Sequence, residues 1–136
     1  MVMKWYMAKS GKIFLNDEDI LEIDSRKLQG KIAYIPQFPQ IFSQTIRENL
    51  VLGNENISDE EILEIAEKCR LKDKILSTEN GLDTKINSEK IIFSSGEMQR
   101  LELMRALLKR ADVYIFDEPT SNLDTLNESI ILNLIK

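Results

Sequence analysis

The chain has 136 residues, 43% hydrophobic and 30% charged, which is the mix of one globular domain, or a piece of a larger one, and not of a disordered tail. Lys plus Arg number 18 against 23 for Asp plus Glu, a formal charge of -5 with no electrostatic footprint for wrapping nucleic acid; histidine is absent and Cys69 is the single cysteine, so Ser-His and Cys-His triads, His-based metal sites, Cys-only zinc sites and internal disulfides are excluded. No apolar run approaches the roughly 20 residues that span a bilayer, and Lys4, Lys9 and Lys12 interrupt the opening segment, so a soluble, cytosolic, disulfide-free protein without a signal peptide is the expectation.

Residues 1–8 are apolar and unpunctuated, as at the end of a helix. Lys12–Leu15 reads as a short strand, and the polar cluster Asn16–Asp19 as the turn after it. Ile32–Ile35 is a second short apolar run, stopped by Pro36 and Pro39, which make a rigid loop. A helical pattern covers Ser58 to Leu76: Ser58 and Glu61 fit a capping box, and Ile62, Ile65, Ala66 and Cys69 recur at spacings of three and four. On that face Cys69 reads as a small buried hydrophobe, not a reactive thiol. Residues 77–90 are polar, with a turn at Asn80-Gly81. A second helix runs from about Gly96 to Lys109, with Met98, Leu101, Met104, Ala106, Leu107 and Leu108 as a broad buried face. Val113–Phe116 is apolar without alternation, which suggests a strand buried on both faces inside a parallel sheet. A last helical stretch begins near Leu126 and is still running at Lys136, where the fold is expected to continue. No internal repeat or low-complexity tract is visible.

Asp117 and Glu118 follow directly on that apolar strand. In open α/β sheets, ligands bind at the carboxyl ends of the strands. Asp117 is there placed to hold Mg²⁺, as the acidic residue after such a strand does in phosphate-binding ATPases, and Glu118 to orient a water attacking a γ-phosphate. With no histidine in the chain, a carboxylate is the available general base. The alternative is a solvated strand end at which Asp-Glu-Pro starts a turn.

The string Asp117-Glu118-Pro119-Thr120-Ser121-Asn122-Leu123-Asp124 resembles the end of the Walker B motif and the D-loop of ABC-type ATPases. Phe93-Ser94-Ser95-Gly96-Glu97-Met98-Gln99-Arg100 is similar to the family's signature, usually Leu-Ser-Gly-Gly-Gln followed by a Gln-Arg pair, and the run from Leu101 to Arg110 to the helix after it. Tyr34 to Pro39 resembles the Q-loop, and Ile41 to Leu50 its continuation in exporter-type ATPase domains. Ser10 to Ile20 resembles the hairpin before the Q-loop. Four motifs in order cover nearly the whole chain. The resemblance implies an α/β fold: a P-loop NTPase-like (RecA-like) parallel sheet core, incomplete, with an inserted α-helical signature subdomain. Residues 1–37 would be partial core up to the Q-loop, 38–110 the helical subdomain, and 111–136 core with Walker B and D-loop.

The resemblance also implies roles. Gln37 would sense Mg²⁺ and the γ-phosphate and couple that site to the helical subdomain; by itself it reads equally as a polar residue between two prolines. Phe38 to about Leu52 would lie where the coupling helices of transmembrane partner domains dock, although Phe38, Ile41, Phe42 and Ile46 are equally candidates for core. Ser94, Ser95, Gly96 and Glu97 would meet a γ-phosphate held by a second ABC ATPase domain in a head-to-tail dimer. A helix N-terminus does offer free N–H groups and partial positive charge, but Ser94 and Glu97 also fit a capping box, which uses the same helix end. Asp124 would cross the dimer interface, or cap the helix near Leu126. Ser95 stands for the first signature glycine and adds a side chain; Glu97 stands for glutamine, and its charge repels a triphosphate.

The phosphate-cradling pattern G-x-x-x-x-G-K-[ST] does not occur. Around Gly11-Lys12, Tyr6 stands at the first glycine position and Ile13 where Ser or Thr would hold Mg²⁺. That loop is expected before this segment, and the switch histidine after it. The expectation is therefore part of the ATP-binding, ATP-hydrolysing domain of an ABC transporter, peripheral at the cytoplasmic face of a membrane, with Mg²⁺ and ATP as ligands and no nucleic-acid partner. The 136 residues alone are expected to bind ATP weakly or not at all, and not to hydrolyse it. One alternative is a non-catalytic module or remnant lending its signature to a complete ATPase; another, an ABC ATPase outside transport, fits the Tyr34–Leu50 stretch less well.

Overall fold

The structure, a computed structural model, describes Lys4, Tyr6, residues 8–52, Asn54, residues 56–86, residues 92–118 and Ser129. Strands β1 (Phe14–Leu15) and β2 (Glu18–Asp19) form an antiparallel hairpin, with Phe14 opposite Asp19 and Leu15 opposite Glu18. The turn is Asn16-Asp17 alone. Both residues have positive φ, 50° and 65°, the backbone a two-residue primed turn demands, and Asn and Asp tolerate it better than other side chains. The four-residue turn expected over Asn16–Asp19 is thus two residues long, and the strand expected from Lys12 is limited to Phe14–Leu15, with Ile13 adding one hydrogen bond from Ile20 N–H. Lys4, Tyr6 and Ala8, the described residues of the opening segment, are not helical.

Helix α1 (Ser25–Lys31) starts at Asp24, whose carboxylate accepts from the N–H groups of Arg26 and Lys27. It buries only Leu28, so no apolar period announces it in the sequence. Strand β3 (Ile32–Ile35) follows at once and pairs in parallel with β4 (Val113–Phe116), Ile32 opposite Val113 through to Ile35 opposite Phe116. This register is what builds the site. It brings the carboxyl ends of two strands together, so the residues after Ile35 meet those after Phe116. The expectation of a strand buried on both faces needs correction: all four β4 residues are half-buried, because β3 is the strand's sheet neighbour among the described residues.

Between the two strands lie α2 (Ile46–Val51), α3 (Asp59–Lys68), α4 (Lys72–Leu76), a 3-10 turn at Gly81–Asp83, and α5 (Ser95–Leu108). Thr45 and Glu48 close a full capping box on α2, and Ser58 accepts from Glu61 N–H at the start of α3. The single helix expected from Ser58 to Leu76 is two. Arg70, at φ 51°, breaks it: the N–H groups of Arg70 and Leu71 turn back to the carbonyls of Glu67 and Ala66 at 3.0 and 2.8 Å, the hydrogen-bond pair of a Schellman ending.

The helical core gathers Ile46, Leu50, Ile62, Ala66, Leu101 and Met104, with Cys69 fully buried among them. Burial pushes the Cys69 thiol up to about 12, consistent with its reading as an unreactive hydrophobe. On another face of α5, Ala106 packs against Ala33 and Ile35 of β3. The signature helix is therefore wedged between the helical cluster and the sheet.

Candidate functional site

Gln37 and Glu118 lie just past the paired ends of β3 and β4. The Gln37 Nε2 donates to Glu118 Oε2 at 3.0 Å. Asp117 N–H donates to the Ile35 carbonyl at 3.0 Å, which carries the ladder one residue beyond the strand. Glu118 then has φ 47°, left-handed backbone that is uncommon for a residue with a Cβ. That reversal directs its carboxylate toward the Q-loop. Asp117 is held from its side by the Tyr34 hydroxyl, which donates to Oδ2 at 2.8 Å. The hydrogen bond to Asp117 raises the Tyr34 pKa above its ordinary value, with burial and the carboxylate charge adding in the same direction.

Asp117 and Glu118 are exposed and Gln37 is half-buried. Among the described residues no group of three or more acidic, His or Cys side chains is placed to hold a metal ion, so a closed protein cage for a metal is not on offer there. What is present suits Mg²⁺ beside a triphosphate: one carboxylate whose Oδ1 takes no hydrogen bond among the described residues, and a neighbouring amide with a hard oxygen. Mg²⁺ bound this way takes its remaining ligands from phosphate and water.

At the start of α5, Ser94 Oγ accepts from Glu97 N–H at 3.3 Å and Glu97 Oε2 accepts from Ser94 N–H at 2.7 Å. The capping box is therefore formed. The two readings of this helix end do not exclude each other, because helix geometry leaves the N–H groups of Ser95 and Gly96 without intrahelical acceptors. Ser95 is exposed while Gly96 is buried, so the serine at the first signature-glycine position meets no packing conflict. Among the described residues no hydrogen bond joins Ser94–Glu97 to Asp117 or Glu118. Asp124 lies outside the described residues.

Several site-supporting residues escape the sequence reading. Tyr34 is one; its signal is a polar tip in a strand that is otherwise aliphatic. The others sit on α5. Gln99 Nε2 donates to the Gln37 carbonyl at 3.4 Å, and Glu102 Oε2 accepts from Gln40 N–H at 3.1 Å. Arg105 pairs with Glu102 at 2.7 Å and donates through Nε to the Asn49 carbonyl at 2.7 Å. Gln99, Glu102 and Asn49 are nearly inaccessible, at 7%, 6% and 1% exposure. Polar residues three apart inside an apolar helix are the signal. Beside them opens a groove of about 460 Å³ whose lining includes Tyr34, Phe42, Leu50, Glu102 and Arg105. The candidates of the docking segment divide: Ile46 is core, Ile41 packs against it, and Phe38 and Phe42 are 64% and 47% exposed.

The ABC transporter family model matches residues 1–121. A probable ABC transporter ATP-binding/permease protein of Haemophilus influenzae is 42% identical over 132 residues, covering 97% of this chain and 24% of that protein. The mitochondrial iron-sulfur clusters transporter ATM1 of Saccharomyces cerevisiae is 38% identical over 136 residues, covering 100% of the chain and 20% of that protein. A solved bacterial Atm1-family ABC exporter with ATP bound superposes with a TM-score of 0.85 at 29% identity, over 98% of this chain and 23% of that one. The chain thus spans about a quarter or less of the length of these relatives. With a P-loop NTPase fold, the Q-loop and Walker B carboxylates meeting at adjoining strand ends, and a family match over most of its length, the chain belongs to the ABC transporter family as exporter-like ATP-binding domain.

Proposed function

We propose that these residues form the part of an exporter ATP-binding domain that senses Mg·ATP at one site and presents a signature helix to another. In this reading Asp117 holds Mg²⁺ with help from Gln37, and the metal when bound neutralises phosphate charge. Glu118 orients the attacking water and accepts its proton. The observation that carries the reading is the Gln37–Glu118 hydrogen bond beside Asp117 at the mouth of the parallel strand pair. Ser94, Ser95 and Gly96 would meet the γ-phosphate of a second ATPase domain, and Asp124 would lie between the two. Residues 1–37 and 111–136 serve as core, and 38–110 as the helical subdomain. The groove beside Phe42 and Arg105 would receive a coupling helix of transmembrane partners, which would hold the domain at the cytoplasmic face of the membrane and turn ATP binding and hydrolysis into transport.

The test replaces the matched stretch of the Haemophilus influenzae relative with the corresponding 132 residues of this chain. The chimera is expected to hydrolyse ATP. Its Glu118→Gln variant is expected to bind ATP as before and to lose at least about a hundredfold in turnover, the size of a general-base contribution. A chimera that folds but never turns over ATP, or a Glu118→Gln variant that matches the parent rate, overturns the proposal.

A further inference from the structure

The Q-loop backbone runs along one face of α5 and is gripped there twice. Gln99 and Glu102, three residues apart and hence on the same helix face, hold the Gln37 carbonyl and the Gln40 N–H respectively. Neither is a solvated surface contact. Both side chains are over nine-tenths buried, and Gln99 Oε1 is buried with no hydrogen-bond partner among the described residues. A buried amide with one end unsatisfied is costly to keep, so its grip on Gln37 stands against a penalty that an apolar residue would avoid. Glu102 is a buried carboxylate, tolerable because Arg105 neutralises it. Arg105 is itself anchored to the Asn49 carbonyl and stacks over Phe42, 5.4 Å from its ring centre. Asn49 in turn accepts from Phe42 N–H and donates to the Phe42 and Thr45 carbonyls. The loop that carries Gln37 is thus tied to the helix that begins at Ser95.

We infer that Gln99 and Glu102 are positioning residues that fix the Gln37–Gln40 loop to the signature helix, so that Gln37 reaches Glu118. The inference rests on the assignment of Gln37 and Glu118 to the site proposed above. A displacement of α5 then moves Gln37 off Glu118 through two hydrogen bonds, not through general packing.

The test needs no nucleotide, so its outcome is separate from whether ATP binds. In the 136-residue chain, amide exchange and the side-chain amide signal of Gln37 are followed by NMR, with Glu118→Ala marking where that signal falls once the bond is lost. Glu102→Ala is expected to speed exchange at Gln40 about tenfold, the loss of one charge-assisted hydrogen bond, and to move the Gln37 signal most of the way to its Glu118→Ala position. Exchange within Leu103–Leu108 should stay within about twofold of the parent, the spread allowed for independent sites. Glu102→Gln keeps an acceptor oxygen and is expected to restore the parent pattern. Gln99→Met, similar in volume, carries the test if Glu102→Ala does not fold, and should shift the Gln37 signal the same way. A Gln37 signal unmoved in the folded variants would reduce these contacts to local packing and overturn the inference. Equal acceleration throughout α5 would overturn it as well, by showing general loosening.

Discussion

Tyr34 shows how much a single side chain can settle at this site. Its hydroxyl fixes one oxygen of Asp117, and the other takes no hydrogen bond among the described residues. The same bond makes the phenol harder to ionise, since phenolate would sit against a carboxylate. The sign follows from linkage. Above the ordinary tyrosine pKa of about 10 the unfolded chain gives up this proton while the folded chain keeps it. Stability from the bond is present below that pH and is lost as pH rises through the folded value. Phenolate absorbance should therefore show Tyr34 titrating above the ordinary tyrosine value, and Asp117→Asn should bring it back down. An unchanged titration curve in Asp117→Asn would show that the bond does not form in solution. The acidic pair itself was legible, because two carboxylates after an apolar strand is a local pattern. Tyr34 was not, because its partner is 83 residues away and only the parallel register reveals the pairing.

At the scale of elements, the helix starts were written in the sequence more clearly than the helix ends. Ser58, Ser94 and Glu97 sit where capping chemistry predicts, and the Thr45–Glu48 pair has the same spacing. The ends are different. α3 and α5 both stop at an arginine in left-handed backbone, Arg70 at 51° and Arg110 at 52°, where glycine or asparagine is the usual signal. With no such signal at Arg70, the apolar period ran on through Leu71 and Ile75 and gave one helix where there are two. The strain is testable. Arg70 is exposed, so Arg70→Gly removes the left-handed penalty of roughly 1–2 kcal/mol and gives back about 0.4–1 kcal/mol through the freer unfolded chain. The net expectation is a gain of about 0.5–1 kcal/mol and a rise in Tm of a few degrees, read by urea and thermal unfolding. A destabilised Arg70→Gly would mean that the arginine side chain holds the corner in a way the backbone account omits.

For the molecule as a whole, the decisive feature is the division of labour around a phosphate. The described residues place Asp117, Glu118 and Gln37 at the mouth of one strand pair, and a capped helix start elsewhere. In the proposed function these groups respond to a nucleotide more than they grip one. Gripping needs a row of backbone N–H groups and a lysine around the phosphates, and no glycine-rich Gly-Lys-Ser/Thr stretch occurs in the sequence. Asp117, Glu118 and Glu97 are three of the 23 acidic residues that give the chain its net charge of -5. Without the loop, a triphosphate would face carboxylates in solvent with few donors to offset them. Mg²⁺ would be shared with water on equal terms. Calorimetric titration of the 136 residues with Mg·ATP is accordingly expected to show no saturable binding up to about millimolar concentration, equivalent to less than about 4 kcal/mol of affinity. A micromolar dissociation constant would require that phosphate donors other than a cradle loop exist in this chain, and would shift the centre of the site from the strand mouth to wherever those donors lie.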